Sequence, residues 1–382
     1  MTRTRIIGHS KDAIGEWFAM KVIVIGAGAA GLSIGWRLAQ QGAEVTVIER
    51  GQAGQGATRA AAGMIAAAEG AQSALARRAA ELWPGFAEEV EQASGRGVSY
   101  CANGGLVLAK SPEELEAVSA RGQSGEMLSP DEARRIEPRL APDIVGAMSI
   151  PNEAKVDNRA LGPALAAAFV KAGGALLVNE TVVRFELRDN NILSVLTPFA
   201  LYQADAYVLA AGAWTARIEG LPLHLLPPVI PVKGEMIALQ APAGATLPRP
   251  GILGNDIYMV AQRNRLCVGA TVERVGFDSS LTEAASGWLL DRAASLIPAL
   301  RNWPIAEHWA GLRPGSPDDL PILGASALNG LFIASGQFRS GILYTPAIAD
   351  ALCALVLGKN APFDIAPFDP RRFAGAISSV LR

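Results

Sequence analysis

Between Lys21 and Gly31 the chain leaves itself little choice of fold. A short β-branched apolar run, Lys21-Val22-Ile23-Val24-Ile25, ends in Gly26-Ala27-Gly28-Ala29-Ala30-Gly31, and a helical pattern of Leu32, Trp36, Leu38 and Ala39 follows. Strand, glycine turn and helix therefore stand in sequence order. Gly26 permits a sharp turn, Gly28 lets backbone approach a pyrophosphate, and Gly31 lets helix and strand pack closely. The unpaired N–H groups at the helix start, near Ala29 and Ala30, and the helix dipole then face the phosphates. Gly42 closes the helix, and a second strand, Glu44 to Ile48, ends at Glu49. That acidic residue comes at about the 20-residue spacing at which a carboxylate meets a ribose hydroxyl. It disfavours a 2′-phosphate and hence NADP; NAD and FAD both remain open.

Composition narrows the function classes. The 382 residues suit two interleaved domains. With 18% charged residues and a formal net charge of −2, nothing draws the chain to a polyanion, so no nucleic-acid partner is expected. Cys101, Cys267 and Cys353, and His9, His224 and His308, are scattered without metal-ligand spacing, so neither a disulfide framework nor a metal site is expected. The cysteines read as small buried hydrophobes. Residues 1–19 contain Arg3, Arg5, Lys11, Asp12 and Glu16 and no apolar stretch like that of a signal peptide; they read as a loose extension ahead of Met20. The most apolar late stretch, Ile342 to Leu357, contains Pro346 and Asp350 and falls short of the ~20 residues that a membrane span needs. The expectation is a cytoplasmic protein without a membrane span.

The segment Gly56-Ala57-Thr58-Arg59-Ala60-Ala61-Ala62-Gly63-Met64-Ile65 is low in bulk. It suits backbone that a ligand approaches closely, and equally an alanine-rich helix. Further along stand Val208 to Trp214, Pro231-Val232-Lys233-Gly234-Glu235-Met236, Cys267 to Glu273 with Gly276-Phe277-Asp278, Gly311-Leu312-Arg313-Pro314, and Gly336-Gln337-Phe338-Arg339-Ser340-Gly341-Ile342-Leu343. In this order, over roughly Met20 to Leu357, the motifs resemble the D-amino acid oxidase superfamily, its glycine oxidases in particular.

The resemblance implies an α/β fold in which a Rossmann-like FAD-binding domain is interleaved with an antiparallel-sheet substrate domain. The expected division is 20–95, 150–215 and 305–382 for FAD, and 96–149 and 216–304 for substrate. Strands at Val229–Leu239, Ile257–Val260 and Arg265–Thr271 would build the second sheet. Helices are expected near Pro112–Ala120, Asp131–Ile136, Leu161–Ala172 and Ala284–Leu296.

Non-covalent FAD is implied, since no cysteine stands in the C-terminal flavin loop. Implied cofactor contacts, beyond the glycine turn and Glu49, are Arg50, Ala57, Thr58, Arg59, Ala62, Gly63 and Met64. Val183, Ala211, Gly212 and Trp214 belong with them, as does the whole run from Gly336 to Leu343. The helix opening near Ile342 would turn its positive end to the flavin and favour the reduced, anionic state.

Arg313 is the candidate carboxylate fork, Tyr258 a hydroxyl assisting the same carboxylate, and Arg339 a contact for substrate or flavin. Gln337 stands where relatives often carry His. The implied reaction is hydride transfer from the Cα of a small amino acid or amine to the flavin, imine hydrolysis, and reoxidation by molecular oxygen to peroxide, with a role in thiamine biosynthesis. A D-amino acid dehydrogenase, a sarcosine-type oxidase and a non-catalytic FAD-bearing subunit stay open, as does homo-oligomerisation.

Overall fold

The computed structural model describes residues 19–66, 74–120, 125–254 and 256–373; the expected N-terminal extension up to Phe18 lies outside them. A six-stranded sheet carries the glycine turn. Its strands run in the order Ile322–Ala325, Leu331–Ser335, Ala206–Leu209, Lys21–Ile25, Glu44–Ile48 and Ala175–Leu177, all parallel except the first pair. The period-two alternation of the first strand decides its two faces. Val22 and Val24 pack beneath the helices Ala29–Gln40, Ala74–Ser94, Asn158–Lys171 and Gly341–Val356. Ile23 and Ile25 face the opposite side, where Phe185 and Val195 of a three-stranded antiparallel sheet cover them. Both faces are buried, as a parallel sheet requires.

The second sheet has eight strands, in the order Ile305–Gly315, Ile230–Gln240, Arg265–Gly269, Tyr258–Gln262, Gly251–Leu253, Gly105–Ala109, Gly146–Ile150 and Glu126–Leu128. Every pairing is antiparallel except Gly251–Leu253 with Gly105–Ala109. One face packs on the helix Glu283–Leu296 through Ile237, Met259, Val268, Leu289 and Ala293. The other presents Met236, Cys267 and Ala270 toward Ala62 and Met64 of the first domain.

Four sequence expectations change here. The strand Ile305–Gly315 pairs with Ile230–Gln240 from Ile230↔Gly315 to Leu239↔Ile305, so it belongs to the eight-stranded sheet and the crossing back falls after Gly315, not at 305. Asn158–Lys171 starts ahead of the expected Leu161, because the Asp157 carboxylate accepts from Arg159 N–H and Ala160 N–H and sets the N-cap there. Ala74–Ser94 was not anticipated; Pro84 and Gly85 in mid-run hide its period. Trp83 anchors it by donating from Nε1 to Leu343 O at 2.8 Å. The apolar stretch after Ile342 is the buried helix Gly341–Val356, and among the described residues no helix is long and apolar enough to cross a membrane. Cys267 and Cys353 are buried, but Cys101 is exposed, since it lies at an isolated bridge to Lys155 outside the two main sheets.

Candidate active site

A cavity of about 860 Å³ runs between the two sheets, from the glycine turn to Arg313. At the turn, Gly26 holds φ +106°, and a side chain there would strike the Ala210 carbonyl. A Cβ on Gly31 would strike the Gly26 carbonyl, so Gly31 lies outside the lining and serves the helix–strand approach. Glu49 is fixed by two backbone donors, Ala27 N–H to Oε2 at 2.8 Å and Gly51 N–H to Oε1 at 2.9 Å. Each oxygen keeps a lone pair for a further donor such as a ribose hydroxyl. Helix Ala29–Gln40 has no side-chain cap of its own. Thr58 supplies one from a distance, accepting Ala29 N–H at 2.9 Å on Oγ1, while Ala30 and Gly31 N–H have no acceptor within their helix.

The alanine segment is not a long helix. Only Ala57–Ala60 is helical; Ala61 is extended, Gly63 turns at φ +80°, and Met64–Ile65 pairs with Ala154–Lys155. Its carbonyls go to side chains from three other elements. Asn158 Nδ2 donates to Thr58 O and Arg59 O at 2.9 Å each, Trp309 Nε1 to Ala60 O at 2.9 Å, and Gln262 Nε2 to Ala62 O at 2.7 Å. Tertiary donors thus take acceptors that a helix would have used internally. Ala57, Thr58, Ala62, Gly63 and Met64 line the cavity as expected; Arg59 does not. With Thr58 turned inward, the ~100° step of a helix carries Arg59 outward, where it is exposed.

At the far end, Gly234 and Gly311 face each other across paired strands. A side chain on Gly311 would meet Ala60, and one on Gly234 would meet the Arg313 guanidinium, which lies across that glycine. Arg313 Nη1 donates to Thr271 O at 3.1 Å and Lys233 O at 3.3 Å. Among the described residues no carboxylate forms an ion pair with it. Tyr258 lines the same end, its hydroxyl donating to Met236 Sδ at 3.7 Å.

The helix Gly341–Val356 opens on the cavity through Gly341, Ile342 and Leu343, the first residues of a helix whose N-cap, Ser340, makes no side-chain cap bond. Gln337, Phe338 and Arg339 complete that wall, with Arg339 exposed at its rim over the Phe338 ring. Gly336 does not line the cavity; at φ +72° it makes the turn out of Leu331–Ser335. Val183, Ala211, Gly212 and Trp214 border the nucleotide half, where the Arg50 guanidinium stacks 3.3 Å over Trp214.

Behind Arg313, on the opposite face of its sheet, lies a charged network that the sequence reading did not assign. Lys233 Nζ and Glu235 Oε1 are 2.9 Å apart, at 2% and 0% side-chain exposure. Glu235 also accepts from Thr282 N–H at 2.9 Å, Thr282 Oγ1 at 3.1 Å and His308 Nε2 at 2.8 Å. Burial pushes the Glu235 carboxyl up, but Lys233 and the Thr282 donors outweigh it and hold the group below the usual carboxylate range. Bonded to Glu235, Lys233 is raised above its ordinary value despite burial. The signal was two charges at i and i+2 of an otherwise apolar strand, hence on one buried face. Asn158, Gln262 and Trp309 gave no local signal, because their acceptors lie 99 or more residues away.

These residues fit FAD: a glycine turn that no side chain could enter, a carboxylate oriented for a ribose, and the N-termini of two helices, Ala29–Gln40 and Gly341–Val356, opening on one cavity. Among the described residues no group of three or more His, Cys, Asp or Glu is placed to hold a metal ion.

Known proteins agree with that fit. The chain is 35% identical over 376 residues to a glycine oxidase of Geobacillus kaustophilus, covering 93% of this chain and 98% of that one. The crystal structure of glycine oxidase from Geobacillus kaustophilus superposes with a TM-score of 0.87 at 34% identity, covering 93% of this chain and 99% of that one. A bifunctional protein ThiO/ThiG of Synechocystis sp. is 36% identical over 363 residues and 92% of this chain, which spans only 54% of that longer relative. The family model for FAD dependent oxidoreductases (DAO) matches residues 21–355. Over residues 21–355 the chain belongs to the DAO family of FAD-dependent oxidoreductases.

Proposed function

We propose that the chain oxidises glycine, or an amino acid nearly as small, to its 2-oxo acid with release of ammonia and hydrogen peroxide, and that in the cell the reaction serves thiamine biosynthesis. One observation carries the substrate class: the Arg313 guanidinium faces the cavity without an ion-pair partner among the described residues, where a substrate carboxylate would complete it. The glycine oxidase and ThiO/ThiG relatives support both the amino acid and the pathway.

Bound FAD supplies the two-electron acceptor for the hydride that leaves Cα. The chain's own residues bind and orient. Arg313, held by two carbonyls, fixes the carboxylate; Tyr258 adds a hydroxyl beside it; and the two sheets exclude water around the reacting carbon. No side chain is needed as a base, because the substrate reacts as the free amine. The imine then takes up water to give the 2-oxo acid and ammonia, and oxygen accepts the electrons as peroxide. A cytoplasmic site of action goes with this reading, supported by free thiols at Cys101, Cys267 and Cys353.

The test is anaerobic. Glycine, sarcosine and D-alanine are added in turn to the FAD-loaded chain while its visible spectrum is recorded. Bleaching by glycine and peroxide on readmitting air are expected. If sarcosine or D-alanine alone bleaches it, the substrate is wrong; if bleaching occurs without peroxide, the chain is a dehydrogenase; if no amine bleaches it, it is a binding subunit.

A further inference from the structure

Gln337 is 7% exposed and lines the cavity, yet its Nε2 has no hydrogen-bond partner among the described residues. A buried amide donor left unpaired is strongly disfavoured, so it calls for an acceptor that the described residues do not provide. Its backbone is held firmly. Gly336 before it and Phe338 after it both lie in the left-handed region, at φ +72° and +45°, the second a conformation that side chains rarely adopt. Phe338 N–H donates to Pro314 O at 2.9 Å, and Ser340 N–H donates to Gln337 O at 3.0 Å. A non-glycine residue held there by its surroundings is typical of a site that must present a group in one direction.

The bond to Pro314 ties this loop to the residue after Arg313, and the helix Gly341–Val356 begins four residues on; in the sheet order the glycine turn and Glu49 follow strands two and three positions away from Leu331–Ser335. We propose that Gln337 Nε2 donates to an acceptor atom on the ring end of bound FAD and thereby raises the cofactor's reduction potential. Loss of a hydride from the Cα of the free amine leaves the substrate as a protonated imine, and the two electrons and one proton of that hydride would pass to the ring. The ring gains electron density, and a fixed neutral donor favours that state over the oxidised one. Because an amide does not titrate, its help does not change with pH.

FAD uptake by the wild-type chain is measured first, so that failure of cofactor binding is read separately from failure of the proposal. The midpoint potential is then measured by anaerobic dye equilibration for wild type, Gln337→Leu and Gln337→His, together with the Kd of acetate read from its effect on the flavin spectrum. Removing the donor in Gln337→Leu is expected to lower the equilibrium constant for reduction about tenfold, close to 30 mV for a two-electron couple. Gln337→His, which keeps a donor, should stay within threefold of wild type, and acetate Kd should hold within twofold in both. If Gln337→Leu fails to retain FAD, Gln337→Met, unbranched like glutamine, gives the same reading. An unchanged potential with weakened acetate binding would assign the donor to the substrate, and an unchanged potential with unchanged acetate would reduce Gln337 to packing; either overturns the proposal.

Discussion

Arg313 shows how much of a residue's role is set by what lies beneath it. Its type is legible in Gly-Leu-Arg-Pro, and a guanidinium is the natural fork for a carboxylate. The direction of the fork is not legible, since it depends on carbonyls from Lys233 and Thr271 and on the bare backbone of Gly234. Replacing Arg313 with alanine should raise KM for glycine roughly 10- to 100-fold, as expected when a charged hydrogen bond worth ~1.5–3 kcal/mol is lost. Simple amines without a carboxylate should lose far less, and equal losses for both would remove the carboxylate role. Arg59 marks the limit of reading residues singly. It sits within a motif whose neighbours line the cavity, but the helical turn points it to solvent.

The alanine segment carries the corresponding lesson for an element. Its composition allowed either a helix or an open backbone, and helix propensity alone could not choose. The choice was made by Asn158, Trp309 and Gln262, which take its carbonyls from across the molecule. Gly63 is its pivot: at φ +80°, a Cβ would run into the Val156 carbonyl and come within 2.8 Å of Gln262 Nε2. Gly63→Ala should therefore destabilise the fold by about 1–3 kcal/mol and weaken FAD retention. Thermal unfolding with and without added FAD checks both, and a variant as stable and as yellow as wild type would show that the segment does not seat the cofactor. The helix Pro130–Ile136 was easier to read: Ser129 and Glu132 form a capping box that sets its start within one residue of the expected one.

Over the whole molecule, the buried Lys233–Glu235 pair links stability to pH. Glu235 is lowered in the folded chain, so its contribution is complete above the unfolded glutamate value of ~4.3 and is lost as pH falls through the folded value below it. Lys233 is raised, so its contribution is complete below ~10.4 and is lost as pH rises through a still higher value. Between about pH 5 and 10 the pair is intact. Glu235→Gln should lower stability across that range by about 3–5 kcal/mol and flatten the acid limb; an acid limb as steep as wild type's would mean that other carboxylates dominate it. Activity has a separate pH dependence. If the free amine is the reacting form, kcat/KM should climb with pH as the amine deprotonates, and a flat profile from pH 6 to about 10 would count against direct hydride transfer.

The dinucleotide turn, Glu49 and the order of motifs were determined by sequence alone, because a glycine turn between strand and helix is local physics that neighbours in the chain settle among themselves. The assignment of Ile305–Gly315 to the eight-stranded sheet, the unwinding of the alanine segment, the aim of Arg313 and the unpaired amide of Gln337 were decided only by the tertiary structure. Each rests on hydrogen bonds between segments far apart in the chain, and such partners leave no periodicity or spacing to read.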